Sequence, residues 1–268
     1  MFTIVTQQKK ADRKLFSKKM KLTNVKQNGV TFSLVEVKKI SGIHNQKILS
    51  TIGNMRVILS KPFEPQSDKQ FNLVDESLYS SKLMQNGVEY LLSNCTSIKK
   101  HMSVTLIDIQ CRYQGLADIL IRHFNTLRIV TNRKQLYQNY VDTKLYDCGA
   151  TVIVESSVKL LNQTALYVSP DGILFDKMNH SPVPVISVSN IPNANTMVIH
   201  SFRARTPSKY HEIMPDGICE HTYQAALYNY CGIRNLAALY PVNAMINSTD
   251  ASMDEIALIL SQQHSQMR

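Results

Sequence analysis

Nowhere in this 268-residue chain does an apolar run approach the roughly 20 residues that a membrane span requires. The apolar start "MFTIV" is short, and its positive charges follow rather than precede it, which reads against a secretory leader. The five cysteines, Cys95, Cys111, Cys148, Cys219 and Cys231, include no C-x-x-C pair. An odd set without such a pair fits a reducing cytoplasm better than a disulfide framework. Internal repeats and low-complexity tracts are missing, as are the G-x-S-x-G, H-E-x-x-H and P-loop signatures. No recognisable DNA-binding motif occurs, nor any aromatic interleaving suited to base stacking.

What remains is the composition of an ordinary globular protein, 44% hydrophobic and 19% charged. The length suits two domains, or one with appended parts. The net charge of +10 is unevenly placed: residues 1–50 hold eleven Lys/Arg against Asp12 and Glu36, so +9 lies there and +1 in the rest. The densest stretch is "KKADRKLFSKKMK". As a helix it would line up Lys10, Lys14, Lys18 and Lys21 along one side. Residues 9–26 thus offer a surface for nucleic acid, an anionic membrane or an acidic protein. A solvated lysine-rich helix or loop accounts for the same residues.

Three regions follow from the patterning. Residues 1–96 form a basic α/β domain with strands "FTIVT", "VTFSLVEVKKI" and "MRVILS". It has a helix near "IHNQKILSTIGN", a Pro-containing loop "KPFEPQSDKQ", and a helix from about Val74 to Leu92. Residues 97–212 alternate strand and helix. "SVTLIDI", "LRIVTN", "ATVIVES", "ALYVSPDG", "VPVISVSN" and "TMVIHS" read as strands. "YQGLADILIRHF" carries Leu116, Ile119, Leu120 and Phe124 at helical spacing, and a second helix ends at Gly149. Short continuous apolar strands separated by helices imply a mostly parallel sheet covered on both faces, a Rossmann-like α/β arrangement. Residues 213–268 read as helical, with helices at "DGICEHTYQAALYNYCG" and "IRNLAALYP". In "STDASMDEIALILSQQ", Ser252 and Glu255 form a capping box.

In a doubly wound sheet, ligands bind beyond the carboxyl ends of the strands, where strand order reverses. Three loops matter there. The turn after "VTLIDI" reads Gln110, Cys111, Arg112, Tyr113, where a pyrophosphate site places glycines so that backbone amides approach closely. Only Gly115 remains, inside the helix; Gln110 and Arg112 could contact phosphate by side chain instead. The loop after the second strand offers Asn132, Arg133 and Lys134, about 20 residues further on. Asn132 reads as a helix N-cap. Arg133 and Lys134 oppose the positive end of the helix dipole, which points to a bound anion; exposure alone also accounts for them. The third loop, "VSPDGI", presents Ser169, Pro170 and Gly172, either to a ligand or as a plain turn.

The order strand, "NR" with helix, strand, then a strand ending in "SPxG" resembles the NADP-binding domain of shikimate dehydrogenase and, more loosely, glutamyl-tRNA reductase. The resemblance covers roughly 75 residues, from Val104 to Leu174. It implies an NADP-dependent oxidoreductase-like activity, with Asn132, Arg133 and Lys134 at the adenosine 2′-phosphate. Ser169, Pro170 and Gly172 would lie beside the nicotinamide. The family's glycine-rich turn and the catalytic lysine motif of shikimate dehydrogenase have no counterpart here, and no residue takes the proton-donor role. The other reading is a degenerate, non-catalytic Rossmann scaffold without cofactor, a regulatory or interaction module with a basic N-terminal surface. Either reading admits a homo-oligomer. His211, Cys219 and His221 with Glu212 and Glu220 match no common metal-ligand spacing. Arg203, Arg205 and Lys209 form a further cationic loop.

Overall fold

The computed structural model describes residues 1–8, 20–37, 42–61, 71–98, 100–157, 164–236 and 239–266. Of the basic stretch Lys9 to Lys21, residues 9–19 lie outside the described residues and Met20 and Lys21 belong to a strand; most of the Pro-containing loop and most of "SVKLLNQT" also lie outside the described residues. In chain order the strands are β1 (Phe2–Gln7), β2 (Met20–Gln27), β3 (Val30–Val37), β4 (Arg56–Leu59), β5 (Ser103–Ile107), β6 (Thr126–Val130), β7 (Thr151–Glu155), β8 (Thr164–Val168), β9 (Val185–Ile186), β10 (Val198–Arg203), β11 (Asn243–Ile246) and β12 (Thr249–Ser252). The helices are α1 (Gly42–Ile52), α2 (Ser77–Asn94), α3 (Gln114–His123), α4 (Lys134–Cys148), α5 (Asp176–Asn179), α6 (Ser208–His211), α7 (Glu220–Tyr230) and α8 (Met253–Gln266). None of the described helices is long and apolar enough to cross a membrane.

Two compact units share the chain. One comprises Met1–Tyr79 with Arg205–Ala238, the other Ser80–Ala204 with Leu239–Arg268. Residues 213–268 are therefore divided between them.

The first unit is built on a sheet of order β2-β3-β1-β4. β1 runs parallel to β3 and β4, while β2 and β3 form an antiparallel hairpin closed by Asn28 and Gly29. Both turn residues have positive φ, 54° and 77°, the demand that makes Asn-Gly a favoured two-residue hairpin turn. Because side chains alternate along a strand, β1 serves two faces. Val5 packs with Val35, Val57, Ile48 and Ile52, so α1 covers one side. Phe2 stacks on Phe32 at 5.4 Å between ring centroids, and Tyr223 of α7 meets both rings edge-on at 6.4 Å on the other.

The second unit holds an eight-stranded sheet of order β12-β11-β10-β9-β8-β5-β6-β7. From β5 through β10 every adjacent pair is parallel. Counted from β5, the chain adds β6 and β7 on one side, then β8, β9 and β10 on the other. This is a Rossmann-type order, with its reversal between β5 and β8. β5 and β8 are buried along their whole length, as central parallel strands must be. The α3 crossover buries Leu116, Ala117, Ile119, Leu120 and Ile121.

Two expectations for the C-terminal region need correction. β11 and β12 form an antiparallel hairpin that extends the sheet beside β10, where the sequence reads as helix. Asn247 makes this possible: it takes φ 51° at the turn, and its side-chain oxygen accepts a hydrogen bond from the Val198 amide at 2.8 Å. "IRNLAALYP" is irregular over its described residues, because Gly232 at φ 70° ends α7 and Pro241 follows. The capping box is present: the Ser252 amide donates to Glu255 at 2.7 Å, and the Glu255 amide donates to Ser252 Oγ at 3.3 Å.

Candidate functional site

A parallel sheet delivers all its strand tips to one side, so β5, β6, β7 and β8 place Asp108, Thr131, Ser156 and Ser169 along one edge. At the tip of β6 the chain is pinned. Thr131 Oγ1 donates to the Ile109 carbonyl at 3.2 Å and accepts from the Arg133 amide at 3.1 Å. The Asn132 amide donates to the same carbonyl at 3.3 Å. α4 then starts at Lys134, which puts Arg133 in the cap position. The capping role expected of Asn132 thus passes in part to the Thr131 hydroxyl, which takes up the Arg133 amide; Asn132 itself is exposed.

A depression of about 500 Å³ opens at this tip, lined by Thr131, Asn132, Arg133, Lys134, Gln135, Leu136 and Ser156. Among the described residues two cations and two hydroxyls line it, and no carboxylate does. Glu155, which ends β7, is paired with Arg128 of β6. The structure therefore gathers Asn132, Arg133 and Lys134 around one concavity, while Gln110 and Arg112 stand exposed on the neighbouring turn, outside its lining.

The β5 turn is organised by a residue the sequence reading passes over. Asp108 is fully buried. Its Oδ1 accepts from the Arg112 amide at 2.8 Å, and its Oδ2 accepts from the Tyr113 amide at 2.8 Å and the Tyr137 hydroxyl at 2.6 Å. Charge-assisted bonds of this kind are about twice as strong as neutral ones. The carboxylate thus satisfies amides at the start of α3, the groups to which a phosphate would bind in a glycine-rich turn. Burial, reinforced by the bond to Asp108, raises the Tyr137 hydroxyl pKa well above the tyrosine range. Cys111 holds φ 59°, a conformation that glycine takes without cost.

Across the reversal point, the Tyr113 hydroxyl donates to Asp171 Oδ1 at 2.6 Å, joining the β5 loop to the β8 loop. Burial, followed by this bond, pushes the Tyr113 pKa up to about 12. In the β8 loop, Gly172 takes φ 69° and its amide closes the turn on the Ser169 carbonyl at 3.0 Å. Ser169 is buried, and its hydroxyl donates to the Ile173 carbonyl at 2.7 Å; Pro170 is buried as well. The Ser169 hydroxyl is engaged in holding the turn.

In the first unit, Arg205, Thr206, Pro207, Ser208, His211, Glu212 and Glu220 line a second depression of about 610 Å³. Thr206 donates its amide to Glu220 at 2.8 Å, and Gln224 donates to the Thr206 hydroxyl at 2.8 Å. His221 turns instead toward Glu76, 3.7 Å away. Among the described residues no group of three His, Cys, Asp or Glu side chains is placed to hold a metal ion.

No family model matches the chain, and no curated protein does. Among solved structures, an archaeal alanine dehydrogenase dimer with bound NAD is similar at 14% identity and TM-score 0.28, over 41% of this chain. The similarity spans 34% of that dehydrogenase's length. L-tryptophan dehydrogenase from Nostoc punctiforme is similar at 12% identity and TM-score 0.36, covering 88% of this chain and 77% of that one. 5-Ketofructose reductase of Gluconobacter sp. strain CHM43 gives 12% and 0.32, covering 100% and 99%. Likenesses this distant carry no argument about chemistry. The fold assignment rests on strand order and direction.

Proposed function

We propose that this chain is an NADP-type nucleotide-binding protein whose second unit holds a ribose phosphate at the tip of β6. One observation carries the reading: the concavity after β6 joins Arg133 and Lys134 with the Thr131 and Ser156 side chains, and among the described residues no acid lines it. An unphosphorylated ribose would want a carboxylate there; a phosphorylated one wants cations. Arg133 offers a planar fork of N–H donors to phosphate oxygens, Lys134 a point charge, and Asn132 a neutral donor. In this reading the loop of Ser169, Pro170 and Gly172 would flank the rest of the nucleotide across the reversal point. NADP would supply hydride chemistry, which makes this an oxidoreductase-like reading.

Titration of NADPH by its own fluorescence, with NADH as comparison, tests the proposal. A charge-assisted bond to phosphate contributes about 1.5–3 kcal/mol, so Arg133→Ala should weaken NADPH binding by roughly 10- to 100-fold. NADH should bind weakly and respond little. No binding of either, or equal losses for both, would remove the proposal.

A second reading has its own observation. Asp108 already satisfies the amides that a pyrophosphate would use, which favours a scaffold that has given up dinucleotide catalysis and acts as an interaction module. Lys21 and Lys26 of β2, with the basic stretch before it, would then meet nucleic acid or an acidic protein. Binding of RNA or DNA should fall steeply with salt if so.

A further inference from the structure

We infer that Ser201 is an activated nucleophile with His200 as its general base, and that the second unit transfers the acyl group of an uncharged carboxylic ester through it. The inference is independent of the nucleotide reading. It concerns β10, which β8 and β9 separate from the reversal point.

A serine hydroxyl is a weak nucleophile until a neighbouring base takes its proton and a third group orients that base. All three parts are present. Ser201 Oγ lies 2.7 Å from His200 Nδ1, and His200 Nε2 lies 2.7 Å from the Asn247 carbonyl oxygen. A carbonyl can only accept, so in the neutral ring the proton sits on Nε2. Nδ1 then carries a lone pair, and the Ser201 hydroxyl donates to it. His200 is only 4% exposed, which shields the base, whereas Ser201 keeps exposed surface that a ligand can reach.

Adjacent residues of a regular strand point to opposite faces, so side chains at 200 and 201 would not ordinarily meet. They meet because the backbone leaves the strand conformation. His200 pairs with Met245 and Arg203 with Asn243, so Ser201 and Phe202 together oppose Ala244 in a β-bulge. Ser201 takes φ 51°, a left-handed conformation that serine adopts only at a cost. Strain of this kind concentrates at functional sites, and bulges re-aim side chains there. The hairpin itself does not need it: Asn247 is already tied down by the Val198 amide and by His200 Nε2.

The position suits a ligand as well. The Ser201 amide donates to the Val188 carbonyl, and the Val188 amide donates to the Pro170 carbonyl. Ser201 therefore stands in one row with the β8 loop, at the carboxyl edge of the parallel sheet where such folds bind ligands. The neighbouring guanidinium of Arg203 is paired with Asp250 at 3.4 Å, so an uncharged acyl carbon fits better than a phosphate.

In the acylation step Ser201 Oγ bonds to the ester carbonyl carbon while its proton passes to His200 Nδ1. The bond to the alkoxy oxygen breaks, and that oxygen leaves with the proton. Water then adds to the acyl carbon and gives a proton to Nδ1, which returns it to Oγ as the acid departs.

The test is incubation of the full chain with p-nitrophenyl acetate, following nitrophenol release and mapping acetyl groups by peptide mass spectrometry. General-base assistance contributes about 100- to 10,000-fold. Ser201 should therefore acylate at least about 100-fold faster than the exposed Ser208 in the same chain. Ser201→Gly, which glycine accommodates at this φ without strain, should abolish the fast nitrophenol release. His200→Gln keeps a donor for the Asn247 carbonyl but no base, and should remove the advantage over Ser208. Acetylation of Ser201 no faster than of Ser208, or undiminished release in Ser201→Gly, overturns the inference. A folded His200→Gln that acylates at the original rate overturns the role of the base. Should that variant fail to fold, the ratio of Ser201 to Ser208 in the unaltered chain decides.

Discussion

Replacing Asp108 by alanine should be among the most destabilising single changes in the second unit. The carboxylate is fully buried and receives three donors, the amides of Arg112 and Tyr113 and the hydroxyl of Tyr137. Its desolvation is already offset by those bonds, and truncation leaves the donors without their acceptor. Each bond to a charged group is worth about 1.5–3 kcal/mol, but the amide of the exposed Arg112 regains water. A net loss of about 3–4 kcal/mol follows, or roughly 10 °C in Tm for a unit of this size. Tyr137→Phe removes one bond and should cost about 1–2 kcal/mol. The two changes share a partner, so their effects should fall short of additive by about 1 kcal/mol or more. Urea unfolding followed by far-UV circular dichroism measures all three variants, with the transition midpoint read at unchanged slope. A loss below about 1 kcal/mol for Asp108→Ala, or full additivity with Tyr137→Phe, would falsify the account of the β5 turn.

Gly87 of α2 is expected to reject a side chain, because a Cβ there would sit 2.5 Å from two carbons of the buried Phe202 ring. Gly87→Ala should cost about 1–3 kcal/mol, and Phe202→Leu in the same chain should recover part of it; simple addition of the two losses refutes the clash. Burial raises the hydroxyl pKa of Tyr79, Tyr137 and Tyr223, and burial with Asp171 raises that of Tyr113 from 10.0 to about 12. Folded values above unfolded ones give a contribution that is whole below pH 10.0 and lost as pH climbs toward about 12 and beyond. Stability should therefore decline across that window, and Tyr113→Phe should flatten part of the slope; tyrosinate absorbance rising fully near pH 10 in the folded protein contradicts it. Ser252→Ala should fray the start of α8 and lessen the lowering of the Glu255 pKa, which arises first from the Ser252 amide, kept by alanine, and then from the Ser252 hydroxyl, which alanine removes. An unchanged Glu255 titration by NMR argues against the capping box.

The second unit's sheet was legible because its central strands are continuous apolar runs and its crossover helix α3 repeats at three and four. Those are local signals, and β5 and β8 are buried on both faces in keeping with them. The β11–β12 hairpin was not legible. Its second strand, "TDAS", shows no alternation, and its place comes from pairing with β11 and from Asn247 reaching Val198. Arg133 and Lys134 stood out as cations at a helix start, and they do line a concavity. Ser169 looked available for a ligand, yet its hydroxyl is engaged by a carbonyl four residues on. Asp108 was passed over although it closes an apolar strand directly before a helix, a signal that could have found it. Its third partner, Tyr137, lies 29 residues away, and only the fold brings the two together.

The most direct measurement is a crystal structure of the full chain soaked with adenosine 2′-monophosphate. Phosphate density against the Arg133 guanidinium at the β6 tip, with the Asp108 bonds to Arg112 and Tyr113 intact, is the result this account requires. Density at the start of α3 with Asp108 displaced, or an empty β6 tip at saturating ligand, would contradict it.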